Sequence, residues 1–169
     1  MTRFSHLLLP FFLTLLCLPA LLVAQGELEK DRKSEKFFDE AQAYFVNENY
    51  MLAANEFDKI AERKFNRLTT PGLLMAGISF LNANDIVNAE MRFNALLSTY
   101  PASIYHDDAL YHRGLTLLRD INKRTEGLDL LLDVMEDTND PDLRQHAEDR
   151  VKTFLYKETD LYFLRLYYR

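Results

Sequence analysis

Apolar side chains recur every three or four residues along most of the sequence from Phe37 onward, and this spacing constrains the fold more than any other feature. It places the apolar residues on one face of a helix, which has about 3.6 residues per turn. No segment shows the convincing period-two alternation typical of a half-buried strand. Five glycines and five prolines in 169 residues also leave few turns for a protein of many short strands. We therefore predict an all-α fold.

Capping residues and short polar joints divide the sequence into eight predicted helices. Thr70 and Asp140 each precede a proline that can occupy the first helical position, and Ser103 can cap a helix from residue 104. The polar joints have the lengths expected between antiparallel helices. The predicted helices cover 34–47, 50–64, 71–82, 85–99, 104–119, 126–137, 141–157 and 160–168.

The predicted helices share a pattern of small and large residues that repeats at intervals of 36 to 38 positions. A small residue lets two helix backbones approach closely, and the large residue fills the space beside them. In the even-numbered helices the pairs are four positions apart, and in the odd-numbered helices three. The pairs are Ala53 and Phe57, Ala89 and Phe93, Gly127 and Leu131, then Ala41 and Tyr44, Gly77 and Phe80, Gly114 and Leu117.

This pattern resembles the tetratricopeptide repeat, whose unit is a helix-turn-helix of about 34 residues. Three repeats would run over residues 35–67, 70–102 and 103–139. The segment TYPASIYHDDALYHRGL, residues 99–115, is similar to the joint in tetratricopeptide proteins of the bacterial envelope, such as outer-membrane assembly lipoproteins and the Tol-Pal coordinator. The resemblance implies an α-solenoid of about three repeats with terminal capping helices over residues 34–169.

The resemblance also implies a binding surface. In a stacked array, the first helix of each pair lines the concave face. The surface would be mostly apolar, with two amides and one cation, and would suit an extended or helical segment of another protein. The chain would then be a non-enzymatic adaptor or scaffold of the bacterial cell envelope, with other envelope proteins as partners. The implied groove residues are Phe38, Gln42, Phe45, Leu74, Ile78, Asn82, Tyr111, Leu115 and Arg119.

The first 24 residues are typical of a secretory signal peptide. Arg3 is followed by a nearly uninterrupted apolar stretch over residues 7–24. Cleavage there would leave 25–33 as a polar linker and remove Cys17, so that the exported chain has no cysteine and no membrane span. The alternative is an uncleaved anchor, because the stretch is near the minimum length that spans a bilayer. We predict export across the inner membrane to the periplasm or the outer-membrane periphery.

Charge and motifs limit the other functions. A net charge of −6, without a substantial cluster of lysine and arginine, predicts no nucleic-acid partner. The sequence has no glycine-rich phosphate loop, serine nucleophile elbow or paired-carboxylate motif, so we predict no cofactor, no metal and no catalytic activity.

Two alternatives remain. The first is an enzyme or metal-binding accessory that uses His106, Asp108 and His112, since the last two are four positions apart on one helix face. The second is a purely structural subunit that works only as an oligomer. Segment 160–169 has four large aromatic side chains and little polar surface. It therefore predicts a contact with a partner or with a second copy of the chain.

Overall fold

The computed structural model describes residue 29, residues 31–63 and residues 67–167, with side chains described as far as residue 159. The predicted signal peptide and Cys17 lie outside the described residues, as do the side chains of 160–169. None of the helices in the described ranges combines the length and the apolar character needed to cross a bilayer.

Seven helices account for most of the described residues, and no strand occurs among them. The predicted all-α fold is therefore confirmed. The helices are α1 (31–46), α2 (Tyr50–Ala61), α3 (Thr69–Asn82), α4 (Ile86–Thr99), α5 (His106–Leu117), α6 (Arg124–Asp137) and α7 (Pro141–Tyr167).

Helix α7 is continuous where two helices were predicted. The prediction of separate helices at 141–157 and 160–168 was wrong. Glu158 and Thr159 join the two predicted segments, and because neither is glycine or proline, the backbone can stay helical through them. Glu158 also accepts a hydrogen bond from Arg124 of α6 at 2.9 Å, which ties this part of α7 to its neighbour.

The helices pack in the order of the chain. From α2 to α7, each helix contacts the next one, and α3 also contacts α5 while α5 contacts α7. Helix α1 joins the row through Phe38, whose ring meets Phe57 of α2 edge-on at 5.3 Å. Three buried apolar clusters follow one another, formed by α1 to α3, by α2 to α5 and by α5 to α7. This sequential packing is consistent with a helical repeat.

The repeated small residues lie where helices approach most closely. A Cβ atom added to Gly77 of α3 would lie 2.5 Å from Cε1 of Phe93 on α4, and one added to Gly127 of α6 would lie 2.9 Å from the carbonyl oxygen of Gly114 on α5. The small and large members are buried with one exception: Tyr44 is 37% exposed. Tyr44 belongs to α1, which is the first of the seven helices and has no described helix before it to cover this side chain.

The first two hairpins turn in the same way. Glu48 and Asn84, which are 36 positions apart, both have left-handed backbones, with φ of 60° and 62°. In each turn the amide of the next residue donates to a carbonyl five positions earlier, at 2.9 Å and 2.8 Å. The repetition therefore extends from the packed side chains to the backbone of the turn.

The predicted helix caps have mixed outcomes. Asp140 caps α7, because its Oδ1 accepts from the amides of residues 142 and 143 at 2.9 Å and 3.2 Å. Thr70 does not cap α3, since that helix already begins at Thr69. Ser103 does not cap α5, which begins two residues later than predicted; its Oγ instead accepts from the amide of Tyr105 at 3.2 Å.

Candidate partner-binding groove

Five of the nine predicted groove residues line one cavity. It has a volume of about 510 Å³ and lies between α3, α5 and α7. We call it the α3–α5–α7 groove. Its volume is within the range of known ligand clefts. The predicted residues in its wall are Ile78, Asn82, Tyr111, Leu115 and Arg119. They are joined there by Leu81, His112, Leu118, Arg150, Thr153, Phe154 and Lys157.

Side chains from three helices, α3, α5 and α7, form the walls of this groove. Apolar residues such as Ile78 of α3 and Leu115 of α5 also pack against the buried clusters beneath, so they form a fixed apolar surface. Tyr111 is nearly buried and meets the ring of His112 edge-on at 5.0 Å. The walls are therefore set by core packing rather than by loops, which favours a preformed site.

Helix α7 adds two cations to the groove wall that were not among the groove residues predicted from the sequence. Arg150 and Lys157 lie in the groove wall with Phe154 between them along the chain. The three residues recur at intervals of four and three, so they share one face of α7. This spacing was visible in the sequence, but which face of α7 would meet α3 and α5 depends on tertiary packing.

Arg119 is anchored at the edge of the groove. Its guanidinium donates from one nitrogen to the carbonyl oxygen of Leu81 at 3.0 Å and to Oδ1 of Asn84 at 3.2 Å. These bonds tie the end of α5 to the end of α3. Both acceptors are neutral, so the positive charge of Arg119 is not compensated by them.

His112 is a neutral part of the groove wall. Its ring stacks on Phe93 with the ring centres 6.0 Å apart, and its Nδ1 is buried without a hydrogen-bond partner among the described residues. Burial, and to a lesser degree the positive charge of Arg150, lower the pKa of His112 to about 4. At neutral pH the imidazole is therefore uncharged, and the charge of the groove comes from Arg119, Arg150 and Lys157.

The other four predicted residues lie elsewhere. Gln42 and Phe45 line a second, shallower depression of about 460 Å³ beside Met75. Phe38 packs on Phe57, and Leu74 is only 7% exposed within the second apolar cluster. Helix α3 is apolar on several sides and has neighbours on several sides, which explains why Leu74 is part of the core.

The alternative site at His106, Asp108 and His112 has acidic surroundings at Asp108, whereas the α3–α5–α7 groove is cationic. Burial raises the pKa of Asp108, and the negative charges of Asp140 and Asp107 add to the effect. Asp107 accepts a hydrogen bond from the hydroxyl of Thr138 at 2.9 Å. In the described ranges, no group of three or more His, Cys, Asp or Glu side chains is arranged to hold a metal ion.

Comparison of the sequence with models of known protein families and with curated proteins found no match.

Proposed function

We propose that this chain is a non-enzymatic adaptor of the tetratricopeptide type and that its α3–α5–α7 groove holds a segment of a partner protein. The observation that carries the proposal is that α3, α5 and α7 contribute to one groove whose wall combines apolar side chains with three cations. Such a surface offers anchors for apolar side chains and polar groups that fix their position.

The proposed location is the bacterial envelope, on the periplasmic side of the inner membrane or at the outer membrane. The signal-like residues 1–24 and the similarity of residues 99–115 to envelope tetratricopeptide proteins support this location. Fractionation of cells that produce the full chain, followed by protease accessibility after outer-membrane disruption, tests it. Recovery in the cytoplasm would contradict the location without bearing on the groove.

Photocrosslinking in the native envelope tests the groove. A benzoylphenylalanine at Thr153, which is exposed in the groove wall, should crosslink to a partner. The same residue at Asn94, which is exposed on α4 away from the groove, should not give that product. Ile78→Glu and Leu115→Glu, each checked for helical content by circular dichroism, should abolish the Thr153 product.

Two outcomes would contradict the groove as the binding site, and a third would identify the partner. Identical products from positions 153 and 94 would contradict the groove as the binding site. Products that persist in both glutamate variants would do the same. A Thr153 product made of two copies of the chain would identify the partner as a second copy.

A further inference from the structure

We infer that the α3–α5–α7 groove selects a partner segment in which carboxylates flank an apolar side chain. The inference rests on the proposed function, because it specifies the chemistry of the segment that the groove would hold. It follows from the number of cations in the groove, from their lack of carboxylate partners and from their spacing.

The groove has three cations and no acidic residue among its described wall residues. Arg119, Arg150 and Lys157 contribute the charge. Complementary charge on a binding partner increases the association rate and disfavours partners of the wrong sign. The chain as a whole has a net charge of −6, so a preference for acidic segments must come from this local arrangement.

The groove cations differ from most other cations on the described surface. Within the part of the chain that the structure describes, nine lysine and arginine side chains lie within 4.0 Å of a carboxylate oxygen. Among the described residues, neither Arg150 nor Lys157 has such an ion pair, and Arg119 donates only to neutral oxygens. A carboxylate that binds these cations would therefore break no ion pair among the described residues.

The spacing of the cations matches a particular order of side chains in the partner. Arg150 and Lys157 are seven residues apart on α7, which corresponds to about 10 Å along the helix axis. Phe154 lies between them on the same face. A complementary helical segment would place two carboxylates about 10 Å apart, at positions seven residues apart on one face, with an apolar side chain between them.

Peptide binding to the full chain, purified in a mild detergent, tests the inference. Three fluorescent 14-residue helical peptides would share a leucine at position 7 and carry glutamate, glutamine or lysine at positions 3 and 10, so that these two side chains flank the leucine on one helix face. We expect the glutamate peptide to bind at least tenfold more tightly than the glutamine peptide, and the lysine peptide more weakly still. We expect the double variant Arg150→Gln/Lys157→Gln to lose most of this preference.

Lys152 provides the matched control. It is an exposed cation on the same helix, lies outside the groove wall and pairs with Glu148. Lys152→Gln removes one positive charge from α7, and the single variants Arg150→Gln and Lys157→Gln remove the same amount from the groove. We expect each groove variant, but not Lys152→Gln, to weaken binding of the glutamate peptide severalfold.

The outcomes separate this inference from the proposed function. Equal affinity for all three peptides, with loss of binding in Leu115→Glu, would overturn the acidic preference and leave the binding groove standing. No binding of any peptide at millimolar concentration would overturn both. Tighter binding to phosphatidylglycerol vesicles than to the glutamate peptide, lost in Arg150→Gln/Lys157→Gln, would overturn the assignment to a protein segment.

Discussion

The ring of Phe93 on α4 packs directly on the backbone of α3 at Gly77. A Cβ atom at position 77 would lie 2.5 Å from Cε1 and 2.7 Å from Cζ of that ring. Phe93 itself is fully buried, so the ring has little freedom to move away. This contact fixes the distance between α3 and α4, the two helices of the second hairpin. Helix α3 also forms one wall of the α3–α5–α7 groove.

Gly77→Ala is expected to lower the free energy of unfolding by about 1–3 kcal/mol, because the added methyl group overpacks the interface. The gain in helix propensity from alanine offsets only part of this. Urea denaturation followed by circular dichroism measures the change. Asn94→Ala on the exposed side of α4 should be close to neutral. Adding Phe93→Leu to Gly77→Ala should cost less than the sum of the two single changes; strict additivity would contradict the contact.

The Asp58–Arg92 ion pair links α2 to α4 and should be worth more than an ordinary surface pair. Arg92 donates from two nitrogens to the two carboxylate oxygens at 2.6 Å and 2.7 Å, and both side chains are mostly buried. The hydrogen bonding to Asp58, against the opposing effect of burial, raises the pKa of Arg92. We expect a double-mutant cycle with Asp58→Ala and Arg92→Ala to give a coupling of about 1 kcal/mol.

The exposed pair Lys36–Glu40 is the comparison for that cycle. Its atoms are 3.6 Å apart on one helix, with both side chains exposed. The same kind of cycle there should give about 0.3 kcal/mol and should shrink further in high salt. Equal couplings for the two pairs would show that the paired geometry of Arg92 adds nothing.

The left-handed backbone at Glu48 is expected to cost stability that glycine would recover. Glu48 has a φ of 60°, where a side chain is disfavoured, and it is exposed. Glu48→Gly should raise the free energy of unfolding by about 0.5–1 kcal/mol. Glu48→Ala removes the same carboxylate but keeps the Cβ atom, so it should bring no comparable gain. If alanine stabilises as much as glycine, the backbone explanation is wrong.

His112 should make stability decrease as the pH falls from about 6.5 to about 4. Its pKa is about 4 in the folded chain against 6.5 for an ordinary histidine. In this window the unfolded chain therefore takes up a proton that the folded chain does not, which favours unfolding. The loss should be on the order of 2 kcal/mol at the lower end, allowing for partial exposure.

The variant His112→Phe isolates this effect, because it keeps an aromatic ring next to Phe93 and does not titrate. Carboxylates such as Asp108 titrate in both proteins and largely cancel in the difference between them. In urea denaturation at several pH values, the free energy of unfolding of the parent chain minus that of His112→Phe should therefore decrease as the pH falls. Parallel curves over this window would show that His112 does not keep its lowered pKa.

The hairpins could be predicted from the sequence because their packing depends on local spacing. Ala53 and Ala89 repeat at the same offset from Phe57 and Phe93, and all four are fully buried. The boundary predicted near residue 158 was wrong because polar residues there resembled a joint without containing a helix breaker.

The site was harder to predict because it depends on which faces of distant helices meet. Ile78 and Leu115, which were predicted from their positions on the first helices of their pairs, line the α3–α5–α7 groove. Leu74 lies on the same predicted face of α3, four positions before Ile78. It packs in the core instead, since α3 has neighbours on several sides. Arg150 and Lys157 were not included because only tertiary packing brings α7 to the other two helices.

Protection of a single cysteine in the groove tests the central claim most directly. The chain has one cysteine, Cys17, so Cys17→Ser combined with Thr153→Cys gives a unique reporter in the groove wall, and Asn94→Cys gives its control. Maleimide labelling rates would be compared between the native envelope and the purified chain. We predict that labelling at position 153 is at least fivefold slower in the envelope while labelling at position 94 changes little. The same ratio at both positions would contradict an occupied groove.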